Sequence, residues 1–445
     1  MAIEQETICL AMPSEVTPAP LGRRPWHLAL HMYVAFFTLC YFVKGLYFIF
    51  HPAPFFSLTQ HPRTDQIWMY GLAALFVAAV SLFIILRTYK VAFALLSRRL
   101  AGRSPAPALR TDRLLVLCCT VAALAFLIPR AGDVVQALQT GSFLIRRSAA
   151  SWEEFSSGML GMKALFMQIQ AGLLIILSVY AVQRRDWGLI MISLLYFLAS
   201  AITSNGSRFQ LLSSILLLPT LYYLLVKRRP SHRNLFVAGI YGAVLLLPFL
   251  AAFLLVARRS TGSLFATEQV FIAALVSFDP ADHLVNYLYV LPVDWLGTRT
   301  IEEIWQVVPR ALFPDKPFLY GMLALQNVLY PGSIGNHTGT FLYGHYPMSS
   351  LAVAVDFGFL PGLVLHALMT GWFLAFLDAG FETNSLLLVA LFAMNIFFLY
   401  HLIRVGIVNH VIMGLQSMFI PLLIASALRW AGKFSLTWRP VRRPT

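Results

Sequence analysis

Long apolar runs separated by short polar segments are the dominant pattern along this chain. The hydrocarbon core of a bilayer needs about 20 mostly apolar residues per helix, and ten segments come close to that requirement. They lie at about 27–50, 67–86, 113–129, 159–182, 187–203, 209–226, 234–257, 347–377, 384–402 and 406–429. Apolar residues run continuously rather than alternating, which favours helices over the strands of a membrane barrel. The pattern predicts an all-α polytopic membrane protein with about ten transmembrane helices.

The spacing of these segments gives a predicted domain organisation. Residues 1–26 form a flexible cytoplasmic N-terminus, and 27–257 hold transmembrane helices one to seven. Residues 258–346 form one large, partly helical loop on the outer face. Helices eight to ten occupy 347–429, and 430–445 form a basic cytoplasmic tail. The eighth apolar segment is long enough to tilt or break.

Two pieces of the large loop have helical signals. The apolar stretch 270–292 is interrupted by Asp279, Pro280 and Asp282, which predicts a re-entrant or interfacial helix in preference to a full eleventh span. Thr300-Ile301-Glu302-Glu303 is a capping-box pattern. It predicts a helix from Ile301 to about Val308.

Composition narrows the class of protein. Of 445 residues, 59% are hydrophobic and 12% are charged, and the mean hydropathy is +0.73. Soluble chains carry about 25% charged residues, so a soluble globular protein is excluded, as are collagenous and disordered chains. The four cysteines form neither a disulfide framework nor a zinc-ligand spacing.

The net charge of +14 is explained first by the orientation of the chain in the membrane. Lys and Arg collect in cytoplasmic loops, and an N-terminus placed inside puts most of the 33 basic residues on that side. The basic excess therefore needs no nucleic acid as a partner. Lys44 and Lys163 fall within spans, where we expect them to snorkel towards the interface.

A second set of basic residues falls on the outer side and consists mostly of arginines. Arg208 opens the sixth span, Arg258 and Arg259 close the seventh, Arg310 lies in the large loop, and Arg404 separates the last two spans. Guanidinium groups bind phosphate oxygens bidentately and keep their charge. Three or four of them match a pyrophosphate without a metal. The alternative is that each binds a lipid phosphate at the interface.

His337 and Asp356 are further candidate site residues, and the sequence allows two roles for each. His337 in Asn336-His337-Thr338-Gly339 is a candidate general base, or a surface histidine bonded within the loop. Asp356 is costly inside a span unless it is paired. It is expected either to pair with an outer arginine or to contact a substrate hydroxyl. A metal site built from His337, His345, His401 and His410 matches no known ligand spacing.

The order of these motifs resembles the bacterial oligosaccharide repeat-unit polymerases, the family of O-antigen and enterobacterial common antigen polymerases. The matching pieces run over about residues 140–415. They are Gly206-Ser207-Arg208, Arg258-Arg259, Val308-Pro309-Arg310 with Phe313-Pro314-Asp315-Lys316-Pro317, Asn336-His337-Thr338-Gly339, Phe357-Gly358-Phe359-Leu360-Pro361-Gly362 and Arg404. The first 110 residues match only in being hydrophobic.

The resemblance implies a metal-independent, inverting glycosyltransferase without a cofactor, in the bacterial inner membrane with its active site facing the periplasm. Donor and acceptor would both be oligosaccharides on undecaprenyl pyrophosphate. It implies His337, Arg310 and Arg404 as catalytic residues and Arg208, Arg258 and Arg259 as pyrophosphate ligands. The implied partners are membrane lipids, a flippase and a chain-length regulator.

Two other functions stay open at this point. The related O-antigen ligases, which move a finished glycan onto lipid A core, share the same general pattern. A transporter or flippase for lipid-linked oligosaccharide is the candidate from a different class. Transporters typically show internal repeats and charged residues near the middle of the bilayer, and no repeat is evident in this sequence.

Overall fold

A computed structural model of the chain describes residues 26–50, 67–101, 112–127, 135, 159–203, 220–221, 233–259, 280–290, 301–308, 312–317, 320–321, 324, 349–381, 386–397 and 399–430. All regular structure in these ranges is helical, which confirms the all-α part of the predicted fold class. The α-helices are α1 (Leu28–Phe37), α2 (Lys44–Phe50), α3 (Ile67–Ala101), α4 (Asp112–Leu127), α5 (Met159–Arg184), α6 (Trp187–Thr203), α7 (Arg233–Arg259), α8 (Pro280–Val290), α9 (Ser350–Asp356), α10 (Leu360–Phe381), α11 (Leu386–Phe397) and α12 (Leu399–Trp430).

Four helical stretches in the described ranges are long and apolar enough to cross a membrane. They are Leu28–Tyr47, Trp68–Arg99, Leu360–Phe381 and Leu399–Leu428. Many of their large apolar side chains face outwards, as lipid contact requires. The chain therefore has the character of a multi-pass membrane protein. The number of ten spans stays a prediction, and the sixth predicted span, 209–226, lies almost wholly outside the described residues.

Helix α3 is longer than the span predicted within it. The apolar pattern ends near residue 86, but the helix has 35 residues and continues to Ala101. At about 1.5 Å per residue it is about 52 Å long, well beyond a hydrocarbon core of about 30 Å. Arg87 and Lys90 end the apolar stretch without ending the helix, because Arg and Lys are good helix formers.

Close contacts define the directions of the central helices. Gly45 lies against Leu75 and Gly71 lies against Ile49, so α2 and α3 run antiparallel. Helix α10 ends beside the start of α1, where Asp378 accepts a hydrogen bond from the backbone N–H of Ala29 at 2.9 Å. Consequently α10 runs antiparallel to α1 and parallel to α3. We call the two ends of this bundle the His27 end and the Lys44 end.

The His27 end is organised by one buried carboxylate. Asp378 accepts from the N–H groups of Ala29 and Leu30 at 2.9 and 3.3 Å, and from the Tyr89 hydroxyl at 2.7 Å. His27 Nδ1 lies 2.8 Å from the same hydroxyl. The first N–H groups of a helix lack intrahelical partners and favour a negative charge. A side chain from the far end of the sequence therefore caps α1.

The predicted eighth span is broken, as its length suggested. Helix α9 ends at Asp356, and α10 begins at Leu360 after a turn in which Gly358 has φ 100° and Phe359 has φ 46°. Gly362 packs directly against the carbonyl of Ala354, where a Cβ atom would overlap. The glycine thus allows the two helices to lie against one another.

A second break lies within α12. Gly406 has φ 83° and ψ 171°, which is not helical. His410 Nε2 lies 3.0 Å from Asn395 Oδ1, and Gly414 also faces the Asn395 amide. Fifteen residues of straight helix would separate residues 395 and 410 by about 22 Å. The chain therefore reverses direction near Gly406, so that the arm following it runs back along α11.

Part of the large loop also lies in the described ranges. The predicted helix from Ile301 begins as an α-turn and continues as a 3₁₀ segment, Glu303–Val307. It ends at Val308, whose φ of −88° and ψ of 112° are extended. A residue that precedes proline disfavours the α region, and Pro309 follows. The predicted short helix is therefore confirmed, while Thr300 of the capping box lies outside the described residues.

Helix α5 packs against α4, α11 and α12 in the other half of the bundle. Its contact with α12 is very close at Gly172, where an added Cβ would overlap the Ser417 carbonyl. The following residues from Leu173 to Val182 are almost fully buried. The absence of a side chain at Gly172 therefore sets the distance between the two helices.

We expect Gly172→Ala to lower the thermal unfolding temperature of the detergent-solubilised protein, because the methyl group meets backbone that cannot move aside. Overpacking of this kind costs about 1–3 kcal/mol. Gly239→Ala is the matched control, since a Cβ there has no neighbour within 4 Å and alanine favours the helix. Equal unfolding temperatures for both variants would contradict the close packing of α5 on α12.

Candidate functional site

The first span contains an irregularity at its centre. Thr38–Val43 form a π-helix between α1 and α2, and Leu39, Cys40 and Tyr41 in it are buried. A π turn is wider than an α turn and occurs frequently at functional sites. Here it is followed at once by Lys44, whose side chain is also fully buried. The span thus presents two polar side chains, Tyr41 and Lys44, to the protein interior.

The Tyr41 hydroxyl joins three parts of the chain. It lies 3.0 Å from Ser349 Oγ and 3.3 Å from Ser350 Oγ, and it accepts from the N–H of Leu351 at 3.3 Å. The Ile403 carbonyl lies 3.4 Å away as an acceptor. One proton and two lone pairs can serve this set only in part at any moment. The hydroxyl therefore links the π-helix, the start of α9 and the turn before Gly406.

Ser349 has a second role at the same place. Its Oγ accepts from the N–H of Ala352 at 3.3 Å, and its φ of −141° and ψ of 115° are extended. This is an N-cap, which satisfies one of the unpaired N–H groups at the start of a helix. The start of α9 is thereby held from within by Ser349 and from outside by Tyr41.

Lys44 forms a buried ion pair with Asp282. Nζ lies 3.2 Å from Oδ2, and the two side chains are 0% and 6% exposed. Asp282 lies in the first turn of α8, where a negative charge is favoured by the helix dipole. The expectation that Lys44 snorkels to the interface is therefore wrong. A buried carboxylate offers the ammonium a partner inside the protein, so the side chain does not need to reach water.

Helix α8 lies inside the protein over most of its surface. Ala281, Leu284 and Val285 are at most 2% exposed, and the helix packs against α2, α3 and α9. Of the two alternatives for the stretch 270–292, this burial favours a re-entrant helix over one that lies on the membrane surface. Irregular and short helical backbone is tolerated at membrane depth when protein surrounds it.

Asp356 at the end of α9 is a third buried polar group. It is 2% exposed, and its Oδ1 accepts from the Tyr287 hydroxyl at 3.0 Å. The expected pairing with an outer arginine remains a prediction, since a tyrosine of α8 is the partner that the structure describes here. Asp282 and Tyr287 give α8 one polar contact to α2 and one to α9.

Arg404 lies at the edge of this region. It follows Ile403, whose carbonyl faces Tyr41, and it precedes the reversal at Gly406 by two residues. Its Cζ atom lies 5.5 Å from the centroid of the Tyr400 ring, within range of a cation–π interaction. The side chain is partly exposed. We call Tyr41, Lys44, Asp282, Tyr287, Ser349, Ser350, Asp356 and Arg404 the polar junction.

The remaining predicted site residues are described less completely or not at all. Arg258 and Arg259 form the last two positions of α7, as predicted for the close of a span, and their backbone is helical. Arg208, Arg310 and His337 lie outside the described residues. The convergence of the arginines on one ligand therefore stays a prediction, and Arg404 alone among them is seen in its surroundings.

The sequence contained a signal for the pairing of Lys44 that was not used in the predictions. Lys44 is a lone cation inside an apolar run, and Asp279 and Asp282 are the two anions inside another. Each is costly in a membrane unless it meets an opposite charge. The sequence would therefore have supported the hypothesis that Lys44 pairs with Asp282. Tyr41 gave no such signal, since tyrosine is common in apolar spans.

The described ranges hold no group of three or more His, Cys, Asp or Glu side chains arranged to bind a metal ion. Among the histidines considered at first, His410 is bonded to the Asn395 amide. The prediction of a site without metal stays a prediction.

Comparisons of the chain with protein-family models, with curated proteins and with solved structures find no match.

We expect Lys44→Met to lower the unfolding temperature sharply, because it leaves Asp282 buried without its counter-ion. Breaking a buried ion pair from one side costs about 3–5 kcal/mol. The double variant Lys44→Met/Asp282→Asn should regain most of that loss, since neither buried charge remains. Thermal unfolding of the wild type, of Lys44→Met, of Asp282→Asn and of the double variant gives the coupling energy between the two side chains. Additive losses in the double variant would show that the two residues do not depend on one another.

Proposed function

We propose that this chain is a glycosyltransferase of the bacterial inner membrane that polymerises oligosaccharide repeat units carried on undecaprenyl pyrophosphate. The observation that carries the proposal is the position of Arg404. It is an arginine with a predicted pyrophosphate role, it is partly exposed, and it lies on a turn that the polar junction holds in place. The order of the other arginine motifs along the sequence adds to this.

The ordered backbone that carries Arg404 suits electrostatic catalysis. Tyr41 bonds the carbonyl of the preceding residue, Ile403, and a Cβ atom added at Gly406 would come within 4.0 Å of Ser350 Cα. The guanidinium thus starts from a backbone that is already ordered. Preorganised donors stabilise a developing charge without reorganisation at the moment of reaction. Arg also offers two parallel N–H donors to phosphate oxygens.

The reaction needs a cationic group beside the pyrophosphate that leaves. A hydroxyl of the acceptor repeat unit attacks the anomeric carbon of the donor and forms the new glycosidic bond. The bond from that carbon to the pyrophosphate oxygen breaks, and its electron pair leaves with undecaprenyl pyrophosphate. Negative charge therefore grows on the pyrophosphate, where Arg404 and Arg310 act, with Arg208, Arg258 and Arg259 as further ligands. The hydroxyl proton passes to His337 as general base.

The location of the reaction follows from the topology that the charges predict. With the N-terminus in the cytoplasm, the Lys44 end of the bundle faces the periplasm, and Arg404 lies at that end. His27 and Asp378 then lie at the cytoplasmic end. Repeat units reach the periplasmic face on their lipid carrier, so donor and acceptor would both approach from the membrane at the height of the polar junction.

We expect Arg404→Ala to reduce polymer formation by about two to three orders of magnitude, the loss typical for one transition-state donor. Arg404→Lys should recover little of it, because the bidentate geometry is lost. The assay is purified protein in liposomes with an undecaprenyl-pyrophosphate-linked repeat unit, and product length is read on a gel. The matched control is Arg98→Ala, an exposed arginine in the last turn of α3 at the opposite end.

Folding and product type decide the interpretation of this assay. Variants must match the wild type in size-exclusion profile and unfolding temperature before their activities are compared. A ladder of repeat units supports the polymerase, whereas transfer of one finished glycan to lipid A core supports the ligase. Movement of the lipid-linked oligosaccharide without any transfer would support the transporter. Full activity of Arg404→Ala would remove the pyrophosphate role.

A further inference from the structure

Several buried polar side chains in the middle of the bundle have atoms without a hydrogen-bond partner. None of the affected residues is more than 7% exposed. They belong to α1, α3, α10 and α12, which form the centre of the described bundle. The affected atoms are Tyr33 OH, Ser81 Oγ, Thr370 Oγ1, both ring nitrogens of His366, Asn409 Oδ1 and His410 Nδ1.

The register of α3 against the first span sets the height of Ser81. Leu75, six residues before Ser81 in α3, lies against Gly45, and Tyr89, eight residues after it, bonds His27. Interpolating between these two contacts brings Ser81 level with residues 35–39 of the first span. That span runs from Leu28 to Tyr47, so Ser81 lies close to its middle. Tyr33 lies within one to two turns of the same height.

The register of α10 and α12 gives the same height for three more groups. Asp378 lies at Ala29, so Thr370, eight residues farther along the antiparallel helix, comes level with about Phe37. The His410 ring packs against Phe373 with a centroid distance of 5.5 Å, which places it within one turn of Thr370. His366 lies one turn beyond Thr370 on the same face of α10, since helical residues four apart are neighbours.

These groups therefore form a polar layer near mid-height of the bundle, facing protein rather than lipid. A polar group in such a place is costly when it makes no hydrogen bond. Buried waters typically bond two to four polar groups that would otherwise remain unsatisfied. Hydroxyls and imidazole nitrogens at one height supply both donors and acceptors for such waters.

We propose that Tyr33, Ser81, His366, Thr370 and His410 line an internal water site at mid-height of the bundle, with His366 one turn closer to the polar junction than Thr370. The ligand is a small group of water molecules, bonded to side chains of four helices. The site is independent of the proposed glycosyl transfer. It gives the membrane interior of this protein a place where polar contacts between helices run through water, so the helices can shift slightly without breaking direct bonds.

Radiolytic hydroxyl footprinting of the full-length protein in lipid nanodiscs tests this. Short X-ray pulses turn bound water into hydroxyl radicals, which modify only adjacent side chains, and mass spectrometry locates the modification. We expect Tyr33, His366 and His410 to be modified several-fold faster than Phe392, after correction for intrinsic reactivity. Phe392 is the control, because it is also buried, at 1% exposure, and it packs against Phe381 at the end of α10, away from the proposed site.

A variant ties the signal to the site. Thr370→Val keeps the shape of the side chain and removes one hydroxyl that would hold water, so it should lower the modification of His366 and His410 and leave exposed Trp430 unchanged. Modification of Tyr33, His366 and His410 at no more than the rate of Phe392 in the wild-type protein would overturn the proposal. That result needs no variant, and it leaves the assignment of Arg404 untouched.

Discussion

The Lys44–Asp282 ion pair is the contact on which the Lys44 end of the bundle depends. Two charges are taken out of water almost completely, and a pair of this kind repays its desolvation only with good geometry and further hydrogen bonds. Its position explains why α8 lies inside the protein. Without Lys44, an aspartate in the first turn of α8 would draw that helix towards water. With it, α8 can stay between the first span and α9, and its Tyr287 can bond Asp356.

Two backbone irregularities meet at the same height. The π-helix in the first span and the reversal at Gly406 are unrelated in sequence, yet the Tyr41 hydroxyl contacts the carbonyl of Ile403. Each irregularity frees backbone or side-chain groups from the ordinary helical pattern. The bond from the Tyr41 hydroxyl to the Ile403 carbonyl gives one group of each irregularity a partner in the other. The arrangement places Arg404 beside an ordered turn instead of in a mobile loop.

The fold class followed from the sequence, because runs of apolar residues identify membrane helices by a simple physical requirement. The break in the eighth segment and the short helix at Ile301 were also predictable, since glycine, proline and capping patterns act locally. The end of α3 was not, because apolar character and helical propensity are separate properties. The partner of Lys44 was missed for a different reason. It depends on a contact between residues 238 positions apart, which periodicity cannot reveal. Arg404 was predicted as a site residue because an arginine between two spans is unusual in itself, while the groups that hold its turn carry no local signal.

Asp378 has a consequence for the order of assembly. It caps a helix whose first residues precede it by 349 positions. At a synthesis rate of about 5–20 residues per second, the first span waits on the order of 20–70 seconds before the carboxylate that completes its N-terminus has been made. During that interval its leading N–H groups need other acceptors, such as lipid head groups or water. The first helix to enter the membrane is thus among the last to reach its final set of contacts, and a nascent chain that stops short of α10 lacks the means to finish it.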